Sequence, residues 1–164
     1  MTSLVTATFK TRTAAEAALR HIEDTGVKEE QISLIVTDET RGNSFNIKED
    51  SKIDEGVATG ATTGGLIGTI IGALSTASAM AIPGINVVIV GGLVSALAGL
   101  GAGAITGGLV GGLIGAGIPE HEAKIYENEI KDGAILVAIK AENDAQKKRI
   151  KDILEHEDAY NLAA

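Results

Sequence analysis

Apolar and polar positions alternate over residues 4–9, Leu-Val-Thr-Ala-Thr-Phe, a period of two in a β-branched stretch. That pattern predicts a strand with Val5, Ala7 and Phe9 on one face. The period then changes. Ala15, Ala18, Leu19 and Ile22 recur at i, i+3, i+4 and i+7, the stripe of an amphipathic helix. Thr13 and Glu16 have capping-box spacing at its start, and Gly26 is placed to stop it. Residues 31–37, Gln-Ile-Ser-Leu-Ile-Val-Thr, predict a second strand.

The same order returns at the other end of the chain. Pro119 is placed to open a helix over 120–131, with Ala123, Tyr126 and Ile130 on one face and Gly133 as its stop. Residues 134–141 predict a third strand. Asn143 or Asp144 can cap a helix over 144–156, with Ile150, Ile153 and Leu154 inward, and a short fourth strand falls near 159–162. Two β-α-β units of this kind predict an α+β fold, the ferredoxin-like four-stranded sheet with two helices on one face. The chain divides into an N-terminal βαβ half (1–40), a polar linker (41–55), an apolar insertion (56–118), and a C-terminal helix plus βαβ half (119–164). The linker reading rests on the polar run over 38–55, with turn formers Gly42, Asn43, Ser44 and Asn46.

Between the halves the charge pattern breaks. Residues 56–119 hold no Asp, Glu, Lys or Arg, and 18 of the 21 glycines lie there. Gly60, Gly64, Gly68 and Gly72 recur every fourth residue, as do Gly99, Gly103, Gly107, Gly111 and Gly115. Spacing of four sets each group in one stripe along a helix. Glycine costs a helix roughly 1 kcal/mol per residue relative to alanine, so two such stripes point to close backbone approach between helices. Ile, Leu and Val are too dense here for a flexible linker. The stripes are symmetric about Pro83-Gly84, pairing Gly60 with Gly111, Gly64 with Gly107, Gly68 with Gly103 and Gly72 with Gly99. This predicts an antiparallel glycine-zipper hairpin of helices over 57–82 and 86–117, with Pro83 and Gly84 at its tip. Three shorter helices, broken near Gly91-Gly92 or Gly99, are the alternative.

Both arms have the length of a membrane span. The first carries Thr59, Thr62, Thr63, Thr69, Ser75, Thr76 and Ser78, which weaken insertion. The uncharged tip favours a re-entrant hairpin or burial against neighbouring copies. Large apolar faces on a two-helix hairpin demand a partner, so self-association is the first inference and membrane lipid the second.

The formal net charge of -8 and the lack of a basic stripe argue against nucleic acid as a partner. Four aromatic residues, two Phe and two Tyr, leave little to stack bases on. With no cysteine, disulfides, zinc thiolates and cysteine nucleophiles are excluded. Met1-Thr2-Ser3-Leu4-Val5 lacks the basic start and apolar core of a secretory signal. The expected location is therefore cytoplasmic, at the inner face of the cytoplasmic membrane. His21, His121 and His156 each lie among charged residues and read as solvated; none has Glu-x-x-His or His-x-x-x-His spacing. The glycine-rich stretch has no lysine and so no phosphate-cradling motif. No catalytic, metal or cofactor constellation emerges, and an enzyme is not expected.

Ala81-Ile82-Pro83-Gly84-Ile85 is followed by Gly107-Gly108-Leu109-Val110-Gly111 and Gly117-Ile118-Pro119-Glu120-His121-Glu122-Ala123. Gly133-Ala134-Ile135-Leu136-Val137 comes next. This ordered set resembles a group of small bacterial general stress proteins, the heat-induced stress protein (YflT-like) domains. The resemblance spans nearly the whole chain. It implies a stress-linked, membrane-associated role without an agreed biochemical activity, and it supplies no catalytic residues. The expected function is that of a non-enzymatic, self-assembling structural protein. A soluble homo-oligomeric particle, tube or filament with an apolar hairpin core is the alternative. A small-ligand-sensing regulatory dimer is a further one, resting on fold analogy. Leucine in a stripe removes the close approach. Gly68→Leu or Gly107→Leu should therefore shrink the assembly on gel filtration while the α/β domain stays folded; an unchanged particle size would count against the zipper.

Overall fold

The structure is a computed structural model and describes residues 3–45, 68, 70, 72, 80–82, 86–92 and 108–164. It is a mixed α+β protein built on an antiparallel sheet. The N-terminal half supplies β1 (Ser3–Phe9), α1 (Arg12–Glu23) and β2 (Ile32–Thr37), with a short 3-10 turn at Glu29–Gln31 before β2. Next come α2 (Asp38–Phe45), β3 (Met80–Ile82), β4 (Val87–Gly91) and α3 (Gly108–Gly115). The C-terminal half supplies α4 (Glu120–Lys131), β5 (Ile135–Ala141), α5 (Asp144–His156) and β6 (Tyr160–Ala163). The strand order is β3-β4-β2-β5-β1-β6, every neighbour antiparallel.

The sheet is apolar on both sides. Val5, Ala7, Phe9, Leu34, Val36, Val88, Val90, Val137 and Ile139 meet α1 and α5 through Ala15, Ala18, Leu19, Ile22, Ile150 and Leu154. On the other side, Ile35, Val87, Ile89, Leu136 and Ala138 meet α3 and α4 through Leu109, Leu113, Ala123, Tyr126 and Ile130. β5 is therefore buried at every position but Lys140. Strands covered on both faces read as continuous apolar runs rather than as an alternation.

The predicted elements of the two halves are present within a residue or two, including the short last strand. The capping of α1 differs. Thr11, not Thr13, is its N-cap and accepts from the Ala14 amide at 3.2 Å, while Glu16 accepts from Arg12 Nε at 2.6 Å instead of reaching back to the backbone. The segment read as the start of a polar linker opens as α2. Thr37 Oγ1 accepts from the Thr40 amide at 3.0 Å, and Asp38 and Glu39 lie in the first turn, where the helix dipole favours acids.

The larger correction concerns the glycine-rich insertion. Met80–Ile82 and Val87–Gly91 are strands, not the ends of long helices. They pair with each other from Met80↔Ile89 to Ile82↔Val87, and β4 pairs with β2 from Ser33↔Gly91 to Thr37↔Val87. The four-residue run Val87-Val88-Ile89-Val90 is β-branched throughout, and both of its faces are buried. A continuous helical hairpin over 57–82 and 86–117 is thus interrupted on both sides of Pro83-Gly84, residues that themselves lie outside those described. The alternative of three shorter helices is not met here either, since the residues before Gly91-Gly92 are a strand: Gly91 ends β4 and Gly92 is helical.

Gly91 is held at φ +94, and a Cβ there would come within 2.0 Å of the Ile32 carbonyl oxygen. No side chain fits without moving the backbone of β2. Gly91→Ala should cost at least about 2 kcal/mol, from the left-handed conformation and the clash together. Urea unfolding followed by far-UV circular dichroism reads that loss; an unchanged midpoint would mean that β4 is not seated against β2 as described.

Candidate functional site

Of the nine zipper glycines, Gly68, Gly72, Gly111 and Gly115 lie among the described residues; Gly60, Gly64, Gly99, Gly103 and Gly107 lie outside them, as do Pro83 and Gly84. All four are helical. On α3 the buried positions are Leu109, Gly112 and Leu113, one narrow face in the apolar cluster that α3 shares with α4 and the sheet. At 100° per residue, Gly111, Ile114 and Gly115 fall on the opposite face. Gly111 is half-buried, Gly115 is exposed, and Ile114 is 43% exposed. Gly68 and Gly72 flank Ile70, which is buried in the core with α1 and α5, and both are half-buried. Helical spacing again turns the glycines away from the contact that Ile70 makes.

Ile70 belongs to the apolar cluster on one side of the sheet and α3 to the cluster on the other. At these positions the two stripes lie against opposite faces of the sheet. None of the four predicted glycine pairs has both of its members among the described residues.

A second feature was not singled out from the sequence. It is a polar seam where α4 crosses β1 and β6. Thr6 and Thr8 point from β1 toward α4, on the face opposite Val5, Ala7 and Phe9, and both are buried. The Tyr126 hydroxyl donates to the Asn161 carbonyl at 2.8 Å, which leaves its oxygen to accept from Thr6 Oγ1, also at 2.8 Å. One turn further along α4, Glu129 accepts from Thr8 Oγ1 at 2.5 Å with one carboxylate oxygen and from Asn161 Nδ2 with the other. Both ends of the carboxylate are engaged, so Glu129 joins three elements. Beside it opens a cleft of about 360 Å³ lined by Thr8, Lys10, Glu129, Asp132, Gly133 and Tyr160. Lys10 Nζ sits 4.2 Å above the Tyr160 ring at its mouth.

Burial pushes the Tyr126 phenol up to about 12; the Thr6 hydrogen bond opposes the shift, and the nearby Glu122 and Glu129 charges add to it. The ring stays neutral at ordinary pH and acts as a hydrogen-bonded strut. The signal for this seam was readable in part: polar threonines alternate with Val5, Ala7 and Phe9 on a strand whose two faces are both covered.

The histidines lie at the surface, as expected. His21 Nδ1 is 2.6 Å from Glu157 Oε1, tying the end of α1 to the end of α5. His156 Nδ1 lies 2.6 Å from the Asp152 carbonyl, and His121 Nε2 lies 3.6 Å from Glu122. Among the described residues no three His, Cys, Asp or Glu side chains form a metal-holding group. Among the same residues no helix is long and apolar enough to cross a membrane. Compared with family models, curated proteins and solved structures, the chain matches none.

Tyr126→Phe leaves Thr6 and the Asn161 carbonyl without their partner. It should lower unfolding stability by about 1–2 kcal/mol. The raised phenol adds a pH signature. The folded state holds its proton above pH 10 while the unfolded chain releases it, so this contribution is present below pH 10 and is lost as pH rises toward 12. Urea midpoints of the two proteins should therefore converge between pH 10 and 12. A constant gap across that window would remove Tyr126 as the titrating strut.

Proposed function

We propose that this is a non-enzymatic, self-associating protein whose glycine stripes pack copy against copy. The sheet domain, with its two βαβ units in the ferredoxin-like arrangement, serves as the rigid base that presents them. One observation carries the reading: Gly111, Ile114 and Gly115 form a small-residue and apolar face on α3, turned away from the sheet that the helix covers. An outward glycine stripe lowers helix stability, and of its members Ile114 and Gly115 are exposed and Gly111 is half-buried. Close approach by another helix explains it.

The β3-β4 pairing bears on which assembly is favoured. In the lipid-embedded version the tip at Pro83-Gly84 inserts away from the sheet domain. Its flanking segments instead pair in the sheet beside β2. That observation favours homo-oligomers built through the stripes, as a particle, tube or filament, over a hairpin plunged into the bilayer by its tip. Contact with the inner face of the cytoplasmic membrane is the other version of the proposal. The stress-related role rests on the sequence resemblance alone.

Two measurements separate these readings. Native lysate on a density gradient, with and without a carbonate wash, distinguishes a fast-sedimenting particle from a floating, lipid-bound species. Gly111→Leu then tests the stripe itself. It should lower the assembly mass in analytical ultracentrifugation with the circular dichroism unchanged, because Gly111 faces away from the sheet. An assembly of unaltered mass would sink the proposal.

A further inference from the structure

We infer that β6 is an exchangeable strand, which a second copy of this chain can supply in place of the chain's own. Helices α3, α4 and α5 close with the same turn. An amide two residues past the cap bonds back to the third-last carbonyl, and the residue between is left-handed. After α3 that residue is Gly117 at φ +99, with Ile118 N to Leu113 O at 3.0 Å. After α4 it is Gly133 at φ +97, with Ala134 N to Glu129 O at 2.9 Å. After α5 it is Asp158 at φ +55, and the closing bond, Ala159 N to Leu154 O, is stretched to 3.4 Å. The left-handed region costs an L-residue free energy that glycine avoids. The hinge into β6 is thus the weakest of three equivalent turns.

The strand beyond the hinge is weakly held. β1 pairs with β5 at every residue from Ser3↔Ala141 to Phe9↔Ile135, but with β6 only at Thr6↔Ala163 and Thr8↔Tyr160. The register shifts between those pairs, where Asn161 is again left-handed at φ +42. Tyr160 and Asn161 are exposed, and Leu162 and Ala163 are half-buried. When β6 lifts away, the Thr6–Tyr126 and Thr8–Glu129 hydrogen bonds remain within the chain, and the bonds lost from the seam are those to Asn161 and to the Tyr160 carbonyl.

A vacated β1 edge recognises one sequence best. It needs a carbonyl for Tyr126 and an amide for Glu129, which Asn161 of another copy supplies in the same register. Short strained hinges invite this kind of exchange. Residues 157–159, the connection to β6, reach at most about 10 Å when extended. The exchanged pair must bring two α5 ends together, each carrying Glu155, Glu157 and Asp158, with Lys151 3.9 Å from Glu155 and His21 2.6 Å from Glu157 as the nearby basic groups. Those like charges repel, and salt screens them. Exchange should accelerate with ionic strength. It does not depend on the glycine stripes.

The absence of native cysteine makes the test clean. Full-length Thr6→Cys and Ala163→Cys chains are mixed under reducing conditions, then oxidised and separated on non-reducing gels. Exchange yields a disulfide heterodimer that grows with mixing time and with salt, and that forms several-fold faster in an Asp158→Val background. The same heterodimer should form in a Gly111→Leu background, which separates this inference from the stripe assembly. The Thr6→Cys/Ala163→Cys double variant reports whether the pair can close within one chain, and Thr8→Cys with Tyr160→Cys gives the same readings at the second register pair. Double variants that close within the chain while the mixed single variants never cross-link would overturn the proposal. Failure of both double variants to close would remove the register, and the proposal with it.

Discussion

Strands β2, β4 and β5 carry apolar side chains on both faces, and the rest of the structure follows from having to cover both. An antiparallel sheet usually leaves one face to water. Here Leu34 and Val36 point one way from β2 and Ile35 the other, and all are buried. Helices α1 and α5 come from the two βαβ units and can cover only one face. The second face, including Ile89, Leu136 and Ala138, is covered by α3, from the glycine-rich insertion, and by α4, which follows it. The insertion is therefore not an appendage on a finished domain. Its β4 extends the sheet, and its last helix closes the second core.

That arrangement gives the glycine-rich stretch two jobs with opposite demands. One face of α3, through Leu109, Gly112 and Leu113, must pack on the sheet. The other, with Gly111, Ile114 and Gly115, faces outward. A helix stripped of charge all round is normally enclosed on all sides. The sheet and α4 enclose one side of α3, and the face with Gly111, Ile114 and Gly115 is the one on which the proposed self-association rests.

The polar seam under β6 shows a different use of burial. Thr6, Thr8, Tyr126, Glu129 and Asn161 satisfy one another, so α4 is fixed to β1 and β6 by direction-dependent bonds as well as by apolar contact. Such bonds add modest net stability but select one register. Through Asn161 they fix β6 to α4, beside its two paired positions with β1.

The two βαβ halves were legible from residues alone because their signals are local. Period-two runs, helix stripes, Asn143 as a cap and Gly133 as a stop each act within a turn or two. Helix α2 also had a local signal, Thr37 followed by Asp38 and Glu39, masked by the turn formers after it. The four-residue glycine spacing was a true helical signal at Gly111 and Gly115, but extending it through Pro83 was an error. The run from Val87 to Val90 had an equally strong claim to be a strand, and periodicity cannot choose between a buried strand and a buried helix segment. What settled it was the open edge of β2, a hydrogen-bonding partner some fifty residues away in sequence. Likewise, nothing near Tyr126 in sequence announces Thr6 or Asn161. Propensity and capping are written in neighbouring residues, whereas strand pairing and buried hydrogen bonds depend on groups that only chain folding brings within reach.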